Sequence, residues 1–285
     1  MRYCRKIIKD EKLYIEDALE INNKIWNVKS TIKEFNSRVE NGYLVGLFDS
    51  KELLGTISAV PLKYINIINN KYPTWDIVTA NGTFNNAKKD ADTLCCVAIT
   101  NKFSKIVTIP NIEAKGRYKE WIEMLNNNHW RRNIELKEFI NNSIELYLES
   151  NLDPVINFHK KDKLMIKGAN VIKIFPDGRV EDCDSLGFNI LMSYPVITKE
   201  IRKSVEFIKE VENINFDNIY SIGKSLIIGV FKEALSNKNI KYILPYSRPI
   251  KFKYYLTRVL YRISNNLNFE SEKEKDFYKQ ILTLL

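Results

Sequence analysis

Apolar residues recur along this chain in two rhythms, one at helical spacing and one in short runs of strand length. Leu13, Ala18, Leu19, Ile21 and Ile25 predict a helix over 13–26. A second helix follows over 30–40, with Ser30 or Thr31 placed to cap it. Ahead of both, 5–9 reads as a short strand. The apolar runs 43–49 and 53–60 are joined by Ser50-Lys51-Glu52 and predict a β-hairpin. Residues 65–92 are rich in Asn, Gly, Lys and Asp and read as a long insertion over the sheet. Residues 93–100 form a buried central strand, and 105–109 another that Pro110 ends. Helical spacing returns over 118–125 and 134–148. Residues 154–159, 170–175 and 187–194 read as strands, with Pro176-Asp177-Gly178 as a turn. Ile201, Val205, Ile208 and Val211 mark a further helix.

A loop-helix-strand unit comes next. Ile222, Leu226, Ile227, Val230, Phe231 and Ala234 keep helical spacing, and 240–246 is apolar enough for a strand. Ser221 and Gly223 stand where that helix begins, among its free backbone N–H groups. Such a start can hold a phosphate, because the N–H groups and the helix dipole both face an anion. Helices over 252–267 and 272–284 close the pattern. Strands alternate with helices, so the class is mixed α/β.

Composition narrows the function classes. The 285 residues suffice for one large domain or two small ones, and the 45% hydrophobic content supports a packed core. No apolar run approaches the roughly 18 residues of a membrane-spanning helix. The first ten residues show no secretory signal, which predicts a cytoplasmic protein without membrane partners. Four cysteines lack C-x-x-C spacing, and two isolated histidines give no metal-site spacing, so no metal is predicted. Cys95 and Cys96 are adjacent in a strand, should point to opposite faces, and read as buried rather than nucleophilic. The net charge of +9 fits a polyanionic ligand, yet acidic and basic residues are interleaved throughout. The one local basic cluster is Lys241, Arg248, Lys251, Lys253, Arg258 and Arg262, just after the helix. No aromatic-basic signature or helix-turn-helix pattern marks a specific nucleic-acid binder.

Several segments together resemble the GNAT acyltransferases, and in particular a bacterial GNAT-like group. The order strand, two helices, hairpin, strand, strand, helix and two more strands is that of the fold. Residues 74–84 (TWDIVTANGTF) look like the group's segment before the central strand, and 94–100 (LCCVAIT) like that strand. Residues 153–159 (DPVINFH) and 184–194 (DSLGFNILMSY) look like its last two strands. The resemblance implies a mostly antiparallel central sheet flanked by helices. It also implies acyl-CoA as co-substrate, with acetyl-CoA the first case, and acyl transfer to a small-molecule amine.

One departure is large. In GNATs the central strand leads into a Gln/Arg-x-x-Gly-x-Gly/Ala loop and a long helix that hold the pyrophosphate. Here Thr100 runs almost directly into the next apolar run, and no such loop fits. Something like it stands at 218–223 (NIYSIG), with Asn218 for the Gln/Arg and Gly223 at the last position. Residues 242–249 (YILPYSRP) then resemble the strand that follows that helix. Two arrangements account for this. Residues 1–197 form a GNAT-like core with 198–285 as a docking extension, or the chain holds tandem units over 1–150 and 151–285, the second degenerate.

On this reading Asn218, Ser221, Ile222, Gly223 and Lys224 bind the cofactor phosphates, with Ser247 and Arg248 near the 3′-phosphate. Tyr246 is the candidate acid for the leaving thiolate and Asp92 a candidate base. The alternative is a GNAT-like protein that has lost catalysis and serves as a binding or regulatory subunit. The sequence does not specify an oligomeric state.

Overall fold

The computed structural model describes residues 1–26, 29–102, 114–163, 166–204, 214–218, 221–267 and 271–285. The chain is mixed α/β, with a mostly antiparallel seven-stranded sheet flanked by helices. The strands are β1 (Arg2–Lys6), β2 (Tyr43–Asp49), β3 (Glu52–Leu62), β4 (Thr93–Asn101), β5 (Asn170–Phe175), β6 (Asn189–Ser193) and β7 (Tyr242–Ser247). Their order is β1-β2-β3-β4-β7-β6-β5. Two compact units divide the chain. The first is Met1–Ile106, Asp162–Ile172 and Leu191–Tyr246, and the second is Val107–Lys161, Lys173–Ile190 and Ser247–Leu285.

In the first unit, β1, β2, β3 and β4 form an antiparallel run. Helices α1 (Lys12–Trp26) and α2 (Ile32–Asn41) cover one face of it, burying Ile15, Ala18, Ile21, Phe35 and Val39 against Ile7, Leu44, Phe48 and Leu53. The start of α2 is a capping box. Thr31 Oγ1 accepts from Glu34 N at 3.3 Å, and Glu34 Oε2 accepts from Thr31 N at 2.7 Å. Helix α9 (Ile222–Ser236) lies on the opposite face. A methyl group on its Gly229 would stand 2.9 Å from Cys4 Cβ and 3.0 Å from Val45 Cγ1, so helix and sheet meet backbone to side chain there. Between β3 and β4 the insertion folds into α3 (Tyr64–Ile68), α4 (Trp75–Thr79) and a series of turns. The short helix α8 (Lys199–Lys203) is capped by Thr198.

The second unit holds α5 (Arg117–Asn126), a 3-10 turn (Trp130–Arg132), α6 (Ile134–Glu149), α7 (Pro154–Lys160), α10 (Phe252–Ser264) and α11 (Glu272–Leu282). Its core is aromatic. Tyr147 packs against Phe252 at 5.0 Å and Phe277 at 5.7 Å between ring centres, and Trp121 lies 5.2 Å from Phe139.

Several sequence expectations change. The predicted strand over 154–159 is helix α7, because Asp153 caps it and Pro154 takes the first-turn position. Asp153 Oδ1 accepts from Val155 N at 2.9 Å and Ile156 N at 3.0 Å. His159, expected to hold a turn after a strand, is buried on that helix. The first strand is Arg2–Lys6 rather than 5–9: Ile7 N makes one more bond in register, to Leu44 O at 2.7 Å, and Lys9 and Asp10 are already in a turn. The strand predicted over 187–194 is confined to Asn189–Ser193, with Gly187 at φ +81° in the preceding turn. The strand over 105–109 and most of the helix through Ile208 and Val211 lie outside the described residues.

Candidate functional site

The chemistry-bearing region of the first unit is where β4 and β7 part. These two strands run parallel, paired from Thr93 with Tyr242 to Cys96 with Pro245. Pro245 brings no N–H, so the ladder lacks a donor where it stops. Strand β4 goes on to Asn101, held along its other edge by β3 as far as the pairing of Asn101 with Gly55. The two strands therefore open as a fork beyond Cys96. Past this point β4 runs on for five residues, about 17 Å at strand rise, and β7 for two, Tyr246 and Ser247. At the vertex of the fork β4 carries a bulge. Ser58 pairs with Ala98 and Ala59 with Cys96, leaving Val97 without an opposite number on β3. Ala98 and Ile99, just past the bulge, are half-buried.

Helix α9 begins at the end of the sheet where β4 finishes. Cys4 Sγ donates to Ser225 O at 3.3 Å, Lys6 N to Glu233 Oε1 at 3.3 Å, and Asn237 Nδ2 to Tyr43 OH at 3.2 Å. The helix thus runs in the direction of β1, and hence against β4 and β7. Ser221 caps it, accepting from Lys224 N at 3.3 Å, and the first turn Ile222, Gly223 and Lys224 is half-exposed. Free N–H groups of this turn and the helix dipole make the place suited to an anion. Lys163 is buried in the same unit, with Nζ 5.3 Å from the centre of the Tyr194 ring. Burial, and then the charge of Lys224, lowers the Lys163 ammonium to about 8.

The insertion crosses the fork on the α1–α2 face. Tyr246, which follows Pro245 on β7, donates its hydroxyl to Tyr72 O at 3.0 Å. Trp75 donates its indole N–H to Val97 O, the bulge carbonyl of β4, at 3.1 Å. Burial raises the Tyr246 hydroxyl far above the ordinary tyrosine range, with Cys95 and Tyr72 adding to it, so it stays protonated. Cys95 faces Tyr72 and Tyr246, whereas Cys96 faces Tyr194 on the other side, as their adjacency in a strand predicts. Both are buried. The Cys96 thiol is pushed up to about 12 and the Cys95 thiol well above its usual value, so neither is a ready thiolate.

The structure brings some predicted residues together and separates others. Ser221, Ile222, Gly223 and Lys224 lie at the start of α9 and Tyr246 at the vertex of the fork. Asn218 ends a 3-10 turn, Phe216–Asn218, and its side chain lies outside the described residues. Asp92 stands at the other end of β4, one residue before the Thr93–Tyr242 pair, and so about 16 Å along the strand from the level of Tyr246. Its Oδ1 accepts from Tyr64 N at 2.7 Å and Thr93 Oγ1 at 3.0 Å, an arrangement that fastens a loop. Ser247 and Arg248 fall in the second unit. Ser247 is buried, and Arg248 Nη1 donates to Asp182 Oδ2 at 2.6 Å. Arg258 also pairs, with Glu274 at 3.4 Å, so the basic cluster is partly neutralised within its own unit. Sequence reasoning missed Val97, Tyr72, Trp75 and Lys163. Of these only Trp75 had a signal, a large aromatic in an otherwise polar insertion.

Among the described residues no group of His, Cys, Asp and Glu could hold a metal, and no helix is long and apolar enough to cross a membrane. No protein-family model and no curated protein matches the sequence. Among solved structures the chain is similar to the loading GNATL domain of CurA from Lyngbya majuscula, over 68% of this chain and 97% of that one, at 13% identity and a TM-score of 0.39.

Proposed function

We propose that this chain is a GNAT-type acyltransferase that takes an acyl group from acyl-CoA, acetyl-CoA in the first instance, and gives it to a small amine. The observation that carries the reading is the end of the β4–β7 pairing, with a bulge in β4 just past it and helix α9 beginning at the end of the sheet where β4 finishes. A diphosphate suits the half-exposed first turn of α9, where Gly223 leaves room for close approach and Lys224 adds charge. The arm between phosphate and sulfur has about twelve bonds, roughly 14 Å when extended at about 1.2 Å per bond. The five residues of β4 past its pairing with β7 span about 17 Å, so an arm laid along them from the end of the strand brings the sulfur near Val97. The two amides of that arm match the hydrogen-bonding groups of a strand edge.

In the reaction the amine nitrogen forms a bond to the thioester carbonyl carbon and the carbon–sulfur bond breaks. The nitrogen loses its proton to solvent water, the sulfur gains one, and the group that supplied it is reprotonated from solvent. Tyr246, protonated and at the vertex, is the proposed donor to sulfur, exchanging the Tyr72 carbonyl for it. Asp92 is too distant along β4 to share that site.

The test is calorimetric titration with acetyl-CoA of the wild type and Gly223→Asp. An aspartate in the first turn suits the helix dipole, so the variant repels phosphate without weakening the helix. Micromolar binding by the wild type that the variant loses supports the reading, and no binding at millimolar acetyl-CoA refutes it. A second reading, a GNAT-like binding or regulatory protein without catalysis, is favoured by the engagement of the Tyr246 hydroxyl with Tyr72. It predicts no coenzyme A binding and no acyl transfer, with another ligand or a protein partner bound instead.

A further inference from the structure

Residues 72–75 are fixed to both arms of the fork, to β7 through Tyr72 O and Tyr246 OH and to β4 through Trp75 Nε1 and Val97 O. The segment is also rooted behind. Thr74 caps α4 by accepting from Ile77 N at 3.2 Å, and Thr79 Oγ1 donates to Trp75 O at 2.8 Å. The same Thr79 oxygen accepts from Gly82 N at 2.9 Å. Gly82, at φ +81°, gives its carbonyl to Arg38 Nε at 2.7 Å. Arg38 is 2% exposed and lies with its guanidinium 4.4 Å from the centre of the Phe35 ring and 5.6 Å from that of Phe84. A chain of short hydrogen bonds ending on a buried, stacked arginine makes this crossing a wall rather than a loose flap. Trp75 is the large side chain of that wall at the bulge, and it is half-buried.

We propose that Trp75 closes the inner end of the acyl pocket and limits the acyl group to short chains. This rests on the acyltransferase reading, because it needs the thioester to reach the vertex at Val97. On this reading the acyl group meets the indole at the vertex, and a group of acetyl size is the one that fits. A longer chain must push against a wall tied down at both strands, and one or two misplaced methylenes suffice for large discrimination.

The experiment is calorimetric titration of the full chain with acetyl-, butanoyl- and octanoyl-CoA, using wild type, Trp75→Phe, Trp75→Leu and Trp75→Ala, each with its thermal melt. The wild type is expected to prefer acetyl- over octanoyl-CoA by about tenfold or more. Trp75→Phe, which keeps a ring and loses only the N–H, keeps that preference. Trp75→Leu weakens it, and Trp75→Ala abolishes or reverses it. Should Trp75→Ala fail to fold, Trp75→Leu against Trp75→Phe decides the matter. Equal affinity of the wild type for all three thioesters overturns the proposal, as does a preference that the Leu and Ala variants share unchanged. Failure of the wild type to bind any of the three overturns the acyltransferase reading itself and this inference with it.

Discussion

Asp153 lends itself to a quantitative prediction, because its two carboxylate oxygens satisfy four donors while the residue is only 1% exposed. Oδ1 caps α7 through Val155 N and Ile156 N, and Oδ2 accepts from Tyr147 OH at 3.0 Å and Lys251 N at 3.2 Å. Asp153→Ala removes the cap, worth about 1 kcal/mol. It also strands the tyrosine hydroxyl and the Lys251 N–H, at about 1–3 kcal/mol each. The expected loss is roughly 3–7 kcal/mol, a large share of a typical domain's stability. Asp153→Asn keeps the cap but sets an amide donor against the Lys251 N–H, so its loss is smaller, about 1–3 kcal/mol. Burial raises the Asp153 carboxyl above its ordinary 3.8, with the four hydrogen bonds opposing the shift. The folded protein then holds that proton more tightly than the unfolded chain. Stability is full below 3.8 and falls as pH rises through the raised folded value. Urea melts followed by circular dichroism from pH 7 to pH 4 read both effects. Wild type should gain on Asp153→Asn as the pH falls. An alanine variant within 1 kcal/mol of wild type, or a gap that shrinks on acidification, refutes the reasoning.

Two further predictions concern the first unit. Lys163 has a folded value lowered to about 8, so the unfolded chain binds more protons between about 8 and the ordinary 10.5, and stability rises with pH there; Lys163→Met should flatten that rise in urea midpoints taken from pH 7.5 to 10. Gly229→Val gains a few tenths of a kcal/mol in helix propensity but overpacks against Cys4 and Val45 at about 1–3 kcal/mol, so a lower melting temperature is expected, and an unchanged one would show that α9 does not seat as described.

Where one stretch of chain decides its own conformation, the sequence was a good guide. The apolar run over Tyr43–Asp49, the capping residue before α2 and the apolar stripe of α9 each carry their signal within a few residues. The misreading at 154–159 came from weighing its apolar content above the Asp-Pro pair, whose carboxylate and fixed φ start a helix. The candidate phosphate turn was legible because a helix start is local. The fork was not, since it arises where β4 and β7, distant in sequence, cease to pair. Trp75 and Tyr72 could not be read at all as bridging residues, because their partners Val97 and Tyr246 are set by the sheet order. Arg38 misleads in the opposite sense. Its charge predicts a surface, and only the stacked rings of Phe35 and Phe84 and the carbonyl of Gly82 make its burial tolerable.

The late arrival of β7 beside β4 has a consequence for biosynthesis. Roughly 140 residues separate the end of β4 from the start of β7, and at about 5–20 residues per second a ribosome needs roughly 7–28 s to make them. Through that interval the apolar strand destined for the centre of the sheet is its outermost member, with one edge open to any other extended chain. Pairing of such high sequence separation is also slow to form once both partners exist. The nascent chain is therefore most exposed to misassociation between the synthesis of β4 and that of β7, and the arrival of β7 ends that exposure.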